Sequence, residues 1–302
     1  MASRDYKNAV ILTVFASLVW GTSFPGAEWG LGFAGNDVFF LWLRFVVATI
    51  ITLSIVLYFK KFSFSVMKEP AIWMIGGLNA AGFILQYVGL TITNASKTAL
   101  LVDINVVAVA IISFFAFREK LNKFQLSGIV IGSFGVVLVA TDKGLSFDVS
   151  ELSGDVMVYL AGWSWAFFIV LSKKMMKQYN GIQISSGAIL SCMIFLAPAA
   201  GYVFLTGADM TIEPLGWAMV LYLGLFCTSI ATLLWALGLE GVSATASATI
   251  MLVEVVTALV LSIGLLHETM QSWAVFGSLL VLAAIYLVAS SSKADTEPVK
   301  PT

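Results

Sequence analysis

The sequence predicts an all-α polytopic membrane protein of ten transmembrane helices, arranged as two inverted five-helix repeats. Three observations predict it. Of the 302 residues, 60% are hydrophobic and 11% charged, and the mean hydropathy is +0.97. Soluble domains carry about 25% charged and about 45–50% apolar residues. Apolar runs of about twenty residues recur, the length that crosses a bilayer as a helix. In lipid the backbone must pair internally, which leaves helices or closed barrels, and these runs are too long and too uniformly apolar for barrel strands. Third, residues 89–140 lie without a gap on residues 238–289 at a shift of 149, with 12 of 52 positions identical. Gly89-Leu90, Ala95, Ala99, Val106-Val107, Glu119 and Gly128 meet Gly238-Leu239, Ala244, Ala248, Val255-Val256, Glu268 and Gly277. An internal copy of a helical hairpin is the mark of a repeat architecture.

In order, the predicted spans cover 8–27, 38–59, 71–90, 95–117 and 124–140, then 156–173, 182–205, 215–237, 242–266 and 273–289. Arg4 and Lys7 precede the first, which has no small-residue cleavage site and reads as a retained span rather than a signal peptide. Lys60, Lys61 and Lys68 separate the second from the third. Arg118, Glu119, Lys120 and Lys123 separate the fourth from the fifth. Residues 142–155 form the longest loop. Lys173, Lys174 and Lys177 follow the sixth span, Asp209 and Glu213 the seventh, and His267, Glu268 and Ser272 the ninth. The expected division is 1–141 as the first repeat, 142–155 as an extracytoplasmic linker, 156–290 as the second repeat and 291–302 as a disordered cytoplasmic tail. Cys192 and Cys227 lie inside apolar runs and read as reduced packing residues.

Charge orients the bundle. With the N-terminus in the cytoplasm, thirteen of the sixteen Lys and Arg fall in cytoplasmic segments, and the outer segments are acidic. The positive-inside rule then places both termini inside, in a plasma or inner cell membrane. A repeat of five spans inserts upside down the second time. The basic flanks of Glu119 are replaced around Glu268 by His267, Thr269 and Ser272, as inversion requires. Inverted repeats mark secondary transporters with a site near the midplane. In the first spans of the halves, Phe15 to Trp20 matches Leu160 to Trp165.

Trp20-Gly21-Thr22-Ser23-Phe24-Pro25 resembles the WGxxF signature of the drug/metabolite transporter superfamily, EamA type. Leu43-Arg44-Phe45 with Ala48 resembles its second-span signature. Arg118-Glu119-Lys120-Leu121 with Gly128 and Gly135 resembles its fourth and fifth spans, and Leu252 to Val256 with Glu268 its ninth. The resemblance covers about residues 8 to 290. It implies ten helices, a central cavity and movement of amino acids, metabolites or drugs, often outward. The family usually has proline thirteen residues before the turn glutamate; Val106 and Val255 stand there, so neither site carries a residue that breaks its helix.

Polar groups at membrane depth are the site candidates, because they are costly there and face the bundle interior. Glu254 lies about 12 residues into the ninth span, near the midplane at about 1.5 Å per residue. It reads as a proton-coupling carboxylate or the partner of a substrate amine, against a structural glutamate bonded across helices. Asn105 is its repeat mate, either lining the same cavity or joining helices. Arg44 and Asp103 lie at matching depth and are expected as a buried structural ion pair; Arg44 is left for an anionic substrate if Asp103 points elsewhere. Asn79 and Gln86 share a face of the third span, with Tyr87 on its edge. They offer hydrogen bonds to a substrate or to neighbouring helices. Trp20 and Trp165 occupy repeat-equivalent sites, as cavity walls or as packing. The expected substrate-binding set is Trp20, Asn79, Gln86, Tyr87, Asn105, Trp165 and Glu254.

Enzyme classes fit poorly. The lone histidine, His267, lacks the second histidine of HExxH, and no GxxxxGK[ST] is present. No cofactor and no metal site are expected. Net charge is −1 without a basic stretch, so the expected partners are a small-molecule substrate and the lipid bilayer, not nucleic acid. The reading is a secondary active transporter, an exporter of small metabolites such as amino acids, working by alternating access with proton coupling. The alternatives are an uncoupled facilitator or channel, and a membrane sensor or scaffold without transport. The fifth and tenth spans, poor in deep polar groups, should pack outside the cavity.

Overall fold

Every apolar run read from the sequence is helical in the computed structural model, which describes residues 6–117, 123–140, 149–267 and 272–292. The helices are α1 (Tyr6–Gly21), α2 (Ser23–Leu31), α3 (Asp37–Tyr58), α4 (Pro70–Leu90), α5 (Ala95–Val102), α6 (Asn105–Phe117) and α7 (Lys123–Ala140). The rest are α8 (Val149–Met175), α9 (Gly181–Leu205), α10 (Pro214–Tyr222), α11 (Ala231–Leu239), α12 (Ala244–Ile250), α13 (Val253–Leu265) and α14 (Ser272–Ser292). A π-helical stretch, Leu223–Ile230, joins α10 to α11. Among the described residues there is no strand, only an isolated bridge between Ala34 and Ile212. The turn glutamates Glu119 and Glu268, the cation Lys143 and residues 293–302 lie outside the described residues.

Among the described residues, eight helical stretches are long and apolar enough to cross a membrane, by length and composition. The distribution of side chains agrees. Phe15, Ile50, Phe134, Val260 and Leu279 point outward, while Thr13, Ser17, Arg44, Thr52 and Asn79 are buried. Water would not tolerate so apolar an exterior on a monomer, and lipid does. α4 packs on α8 and α9, α1 on α11 and α13, and α3 on α9 and the π-helical stretch. α7 and α14 pack on each other, away from the centre.

Two predicted spans are broken, which corrects the expectation drawn from Val106 and Val255. α5 stops at Val102 and α6 starts at Asn105; α12 stops at Ile250 and α13 starts at Val253. Both breaks tighten to three-residue hydrogen bonding. Val106 N donates to Asp103 O at 3.1 Å, and Val255 N to Leu252 O at 3.1 Å. Glycines let neighbouring helices approach the backbone beside both breaks closely. A side chain at Gly162 of α8 would collide with the Val102 carbonyl, and one at Gly21 of α1 would lie 2.6 Å from the Glu254 carbonyl. Packing against a neighbouring helix can therefore break these helices without proline.

The segment 142–155 is also shorter as a loop than expected, since α8 begins at Val149. Asp155 is helical and pairs with Lys97 at 2.7 Å. That ion pair ties the start of α8 to α5 and draws the helix past the polar residues that read as loop.

Candidate substrate cavity

A cavity of about 80 Å³ lies at the centre of the bundle. Its walls come from α1, α2, α3, α4, α6, α8, the π-helical stretch, α11, Met251 and α13, and none from α7 or α14. Six of the seven residues expected to bind substrate line it: Trp20, Asn79, Gln86, Asn105, Trp165 and Glu254. Tyr87 does not. It is buried behind the wall, where its hydroxyl accepts a hydrogen bond from Arg44 Nη1 at 2.8 Å. One helical step of about 100° turns Tyr87 away from the face that carries Gln86.

The aromatic wall is held rigidly by its own N–H groups. Trp20 Nε1 donates to the Cys227 carbonyl at 2.7 Å, and Trp165 Nε1 to Asn79 Oδ1 at 3.1 Å. Trp235, which donates to Ser247 Oγ at 3.0 Å, stacks on Phe168 at 5.3 Å and lies 5.9 Å from Trp20. Phe83 meets Trp165 edge-on at 5.1 Å. A π-helix shifts its carbonyls out of the usual register, and the one at Cys227 takes up the indole of Trp20.

Arg44 is the cation on this wall, and its partners correct the ion pair expected with Asp103, which is not formed. Its Nε donates to Thr228 Oγ1 at 2.7 Å, its Nη1 goes to Tyr87, and its guanidinium carbon sits 4.9 Å from the centre of the Phe83 ring. These contacts fix the guanidinium without neutralising it. Asp103 instead turns toward Asn105, whose Nδ2 donates to Asp103 Oδ1 at 3.4 Å. The reason is the helix break. Asp103 lies in the turn, where a continuous helix would have held it at a different angle.

Two cavity-lining acceptors, Gln86 Oε1 and Asn105 Oδ1, have no hydrogen-bond partner. A buried acceptor left unpaired costs on the order of 1–3 kcal/mol, so both are positioned to take a donor from a bound molecule. Among the described residues no three His, Cys, Asp or Glu side chains gather as for a metal ion. The sequence reading missed Phe83, Phe168 and Thr228. Phe83 had a signal, because it stands four residues after Asn79 and three before Gln86 on one helical face. Thr228 had none, since its position depends on the π-helical stretch.

The fold and cavity define a multi-pass helical membrane protein with a charged, aromatic-walled site enclosed in its bundle. The chain belongs to the EamA-like transporter family, whose pattern matches residues 7–141 and again 152–290. It is thus a transporter rather than an enzyme. It is 25% identical over 284 residues to the uncharacterized transporter YoaV of Bacillus subtilis (strain 168), covering 91% of this chain and 94% of that one. It is 26% identical over 285 residues to an uncharacterized transporter of Archaeoglobus fulgidus, covering 92% and 96%. A shorter match, 28% over 180 residues, joins 57% of this chain to 60% of a probable amino-acid metabolite efflux pump of Salmonella typhimurium. A solved structure named "Crystal structure of protein" shares the fold, with a TM-score of 0.72 at 17% identity over 94% of this chain and 98% of that one.

Proposed function

We propose that this chain exports small zwitterionic metabolites of the amino-acid kind by proton-coupled alternating access. The observation that carries the reading is the cavity wall: one fixed cation, Arg44, and one acid, Glu254, among tryptophan and phenylalanine faces. Arg44 would take the substrate carboxylate through its remaining N–H groups, and Glu254 the ammonium group. Gln86 and Asn105 would accept further donors, Trp20 and Trp165 would enclose the carbon skeleton, and Asn79 would hold Trp165 in place. Tyr87 and Thr228 would keep the guanidinium aimed.

The proposed architecture is ten spans in two inverted repeats, 1–141 and 156–290, with 142–155 between them and a cytoplasmic tail at 291–302. Both termini would lie inside a plasma or inner membrane. Support comes from the matched breaks of the 95–117 and 242–266 spans and from the two family matches in one chain. Small-molecule pockets enclose about 300–1,000 Å³, well above the cavity here, so substrate entry requires the halves to rock apart.

The test is uptake of a panel of labelled amino acids into proteoliposomes, with and without an imposed pH gradient. Saturable flux that follows the gradient supports the reading. Saturable flux indifferent to it indicates a facilitator, and no flux with folded protein favours a sensor or scaffold.

A further inference from the structure

One cation inside the bundle has no counter-charge. Arg44 is 1% exposed, and among the described residues it makes no ion pair. Asp103, its expected partner, turns to Asn105, and Glu254 lies on the same cavity wall without pairing with it. Both hydrogen-bond partners of Arg44 are neutral. Thr228 Oγ1 accepts from Nε and gives its own hydrogen to the Leu223 carbonyl at 2.9 Å, and Tyr87 Oη accepts from Nη1. The Phe83 ring attracts the cation but carries no charge. A guanidinium has five N–H groups; these contacts take two and leave the rest for the cavity that Arg44 lines. A buried ion without a partner costs several kcal/mol. With no side chain to neutralise Arg44, the compensating charge has to come from outside the chain.

The cavity limits what can supply it. Its volume of about 80 Å³ is room for a few waters at about 30 Å³ each, and an amino acid does not fit until the halves part. Donors on its wall are few. The indole N–H groups of Trp20, Trp165 and Trp235 are already given to Cys227 O, Asn79 Oδ1 and Ser247 Oγ. Besides Arg44, the Gln86 amide and the hydroxyls of Ser23 and Thr232 line the space. A doubly charged oxyanion would need donors for all of its oxygens. A halide is a single small acceptor and needs only the guanidinium and a water or two.

We propose that the closed, substrate-free cavity holds one chloride-class anion on Arg44, and that the substrate carboxylate displaces it. Arg44 then stays neutralised through the cycle, by the halide when the cavity is closed and empty and by the carboxylate when it is loaded. Chloride and substrate compete for the same N–H groups. The displacing group rests on the zwitterion reading above; the anion site does not, and its test needs no flux.

The test is equilibrium binding of radiolabelled chloride to the purified protein without substrate, at an ionic strength held by gluconate. Wild type should bind one chloride per chain saturably. Bromide should displace it, and so should acetate, which carries the carboxylate group alone. Arg44→Gln should weaken binding by about 100-fold or more, the scale of a buried charge stripped of its partner. Arg44→Lys keeps the charge without the planar fork and should fall between the two. Should the Arg44 variants fail to fold, Thr228→Val decides the point: it frees one of the two bonds that aim the guanidinium and should weaken chloride by about tenfold, the scale of a hydrogen bond to a charged group. Wild type without saturable binding, chloride that acetate leaves in place, or wild-type affinity in folded Arg44→Gln or Thr228→Val overturns the proposal. Amino-acid flux in a protein that binds no chloride would overturn this inference alone. Chloride binding in a folded protein without flux would instead overturn the transport reading and leave the anion site.

Discussion

The two helix breaks sit at matching places in the chain and are furnished differently. At the first, Asp103 occupies the turn and Asn105 opens the next helix; at the second, Leu252 occupies the turn and Glu254 follows. Their surroundings differ too. Val107 of α6 is 4% exposed, whereas its repeat mate Val256 of α13 is 51% exposed. The first break is therefore enclosed by other helices, and the second lies at the rim with one face toward lipid. The same backbone device serves two tasks: the enclosed copy holds a hidden acid and an amide, and the rim copy presents an acid to the cavity.

The largest effect expected from this asymmetry is at Glu254. Glu254→Gln should lower gradient-driven flux by about 100-fold or more, the scale of a lost proton-transfer group, while gel filtration shows folded protein. Wild-type flux in that variant would remove Glu254 from the mechanism. Next come the glycines that admit the breaks. Gly162→Val and Gly21→Val should each cost about 1–3 kcal/mol through overpacking, read as a lower melting temperature. Equal losses would show that both breaks depend on their neighbouring helix; an unchanged melting temperature for Gly162→Val would show that the first break does not.

A smaller change is expected at the mate of Glu254. Asn105→Ala removes an amide without charge, so apparent affinity for substrate should fall by no more than about tenfold, the scale of one hydrogen bond at about 1 kcal/mol. A loss as large as that of Glu254→Gln would erase the distinction between the two breaks. The smallest effect belongs to an acid in water. Asp209 accepts from Thr211 N at 2.9 Å, and hydrogen bonds from the Thr211 backbone and hydroxyl hold its carboxyl below the usual carboxylate range. Its contribution is present above the unfolded carboxylate range and is lost as pH falls through its own lower value. Asp209→Asn should therefore change melting temperature slightly at neutral pH and not at all in strong acid. A large change would mean that the 208–213 loop, not the breaks, limits stability.

Much of the cavity was legible because membrane depth follows from counting along an apolar run, and a polar residue at that depth has few other places to go. That logic found Trp20, Asn79, Gln86, Asn105, Trp165 and Glu254. It failed where depth was right and direction was not. Arg44 and Asp103 share a depth, yet the break turns Asp103 to Asn105 and leaves Arg44 to Thr228 and Tyr87. Tyr87 failed for the same reason in miniature, one residue's rotation from Gln86.

Composition, periodicity and the 149-residue copy were sufficient for the class of fold, because a bilayer imposes one secondary structure on any long apolar run. They were also sufficient for which polar residues lie deep. What needed three-dimensional contacts was how those residues pair. The breaks at 103–104 and 251–252 arise without proline, from Gly162 and Gly21 admitting close neighbours, and the π-helical stretch places Thr228 against Arg44. Depth is a property of one strand of sequence, but the direction of a side chain depends on the helix packed against it.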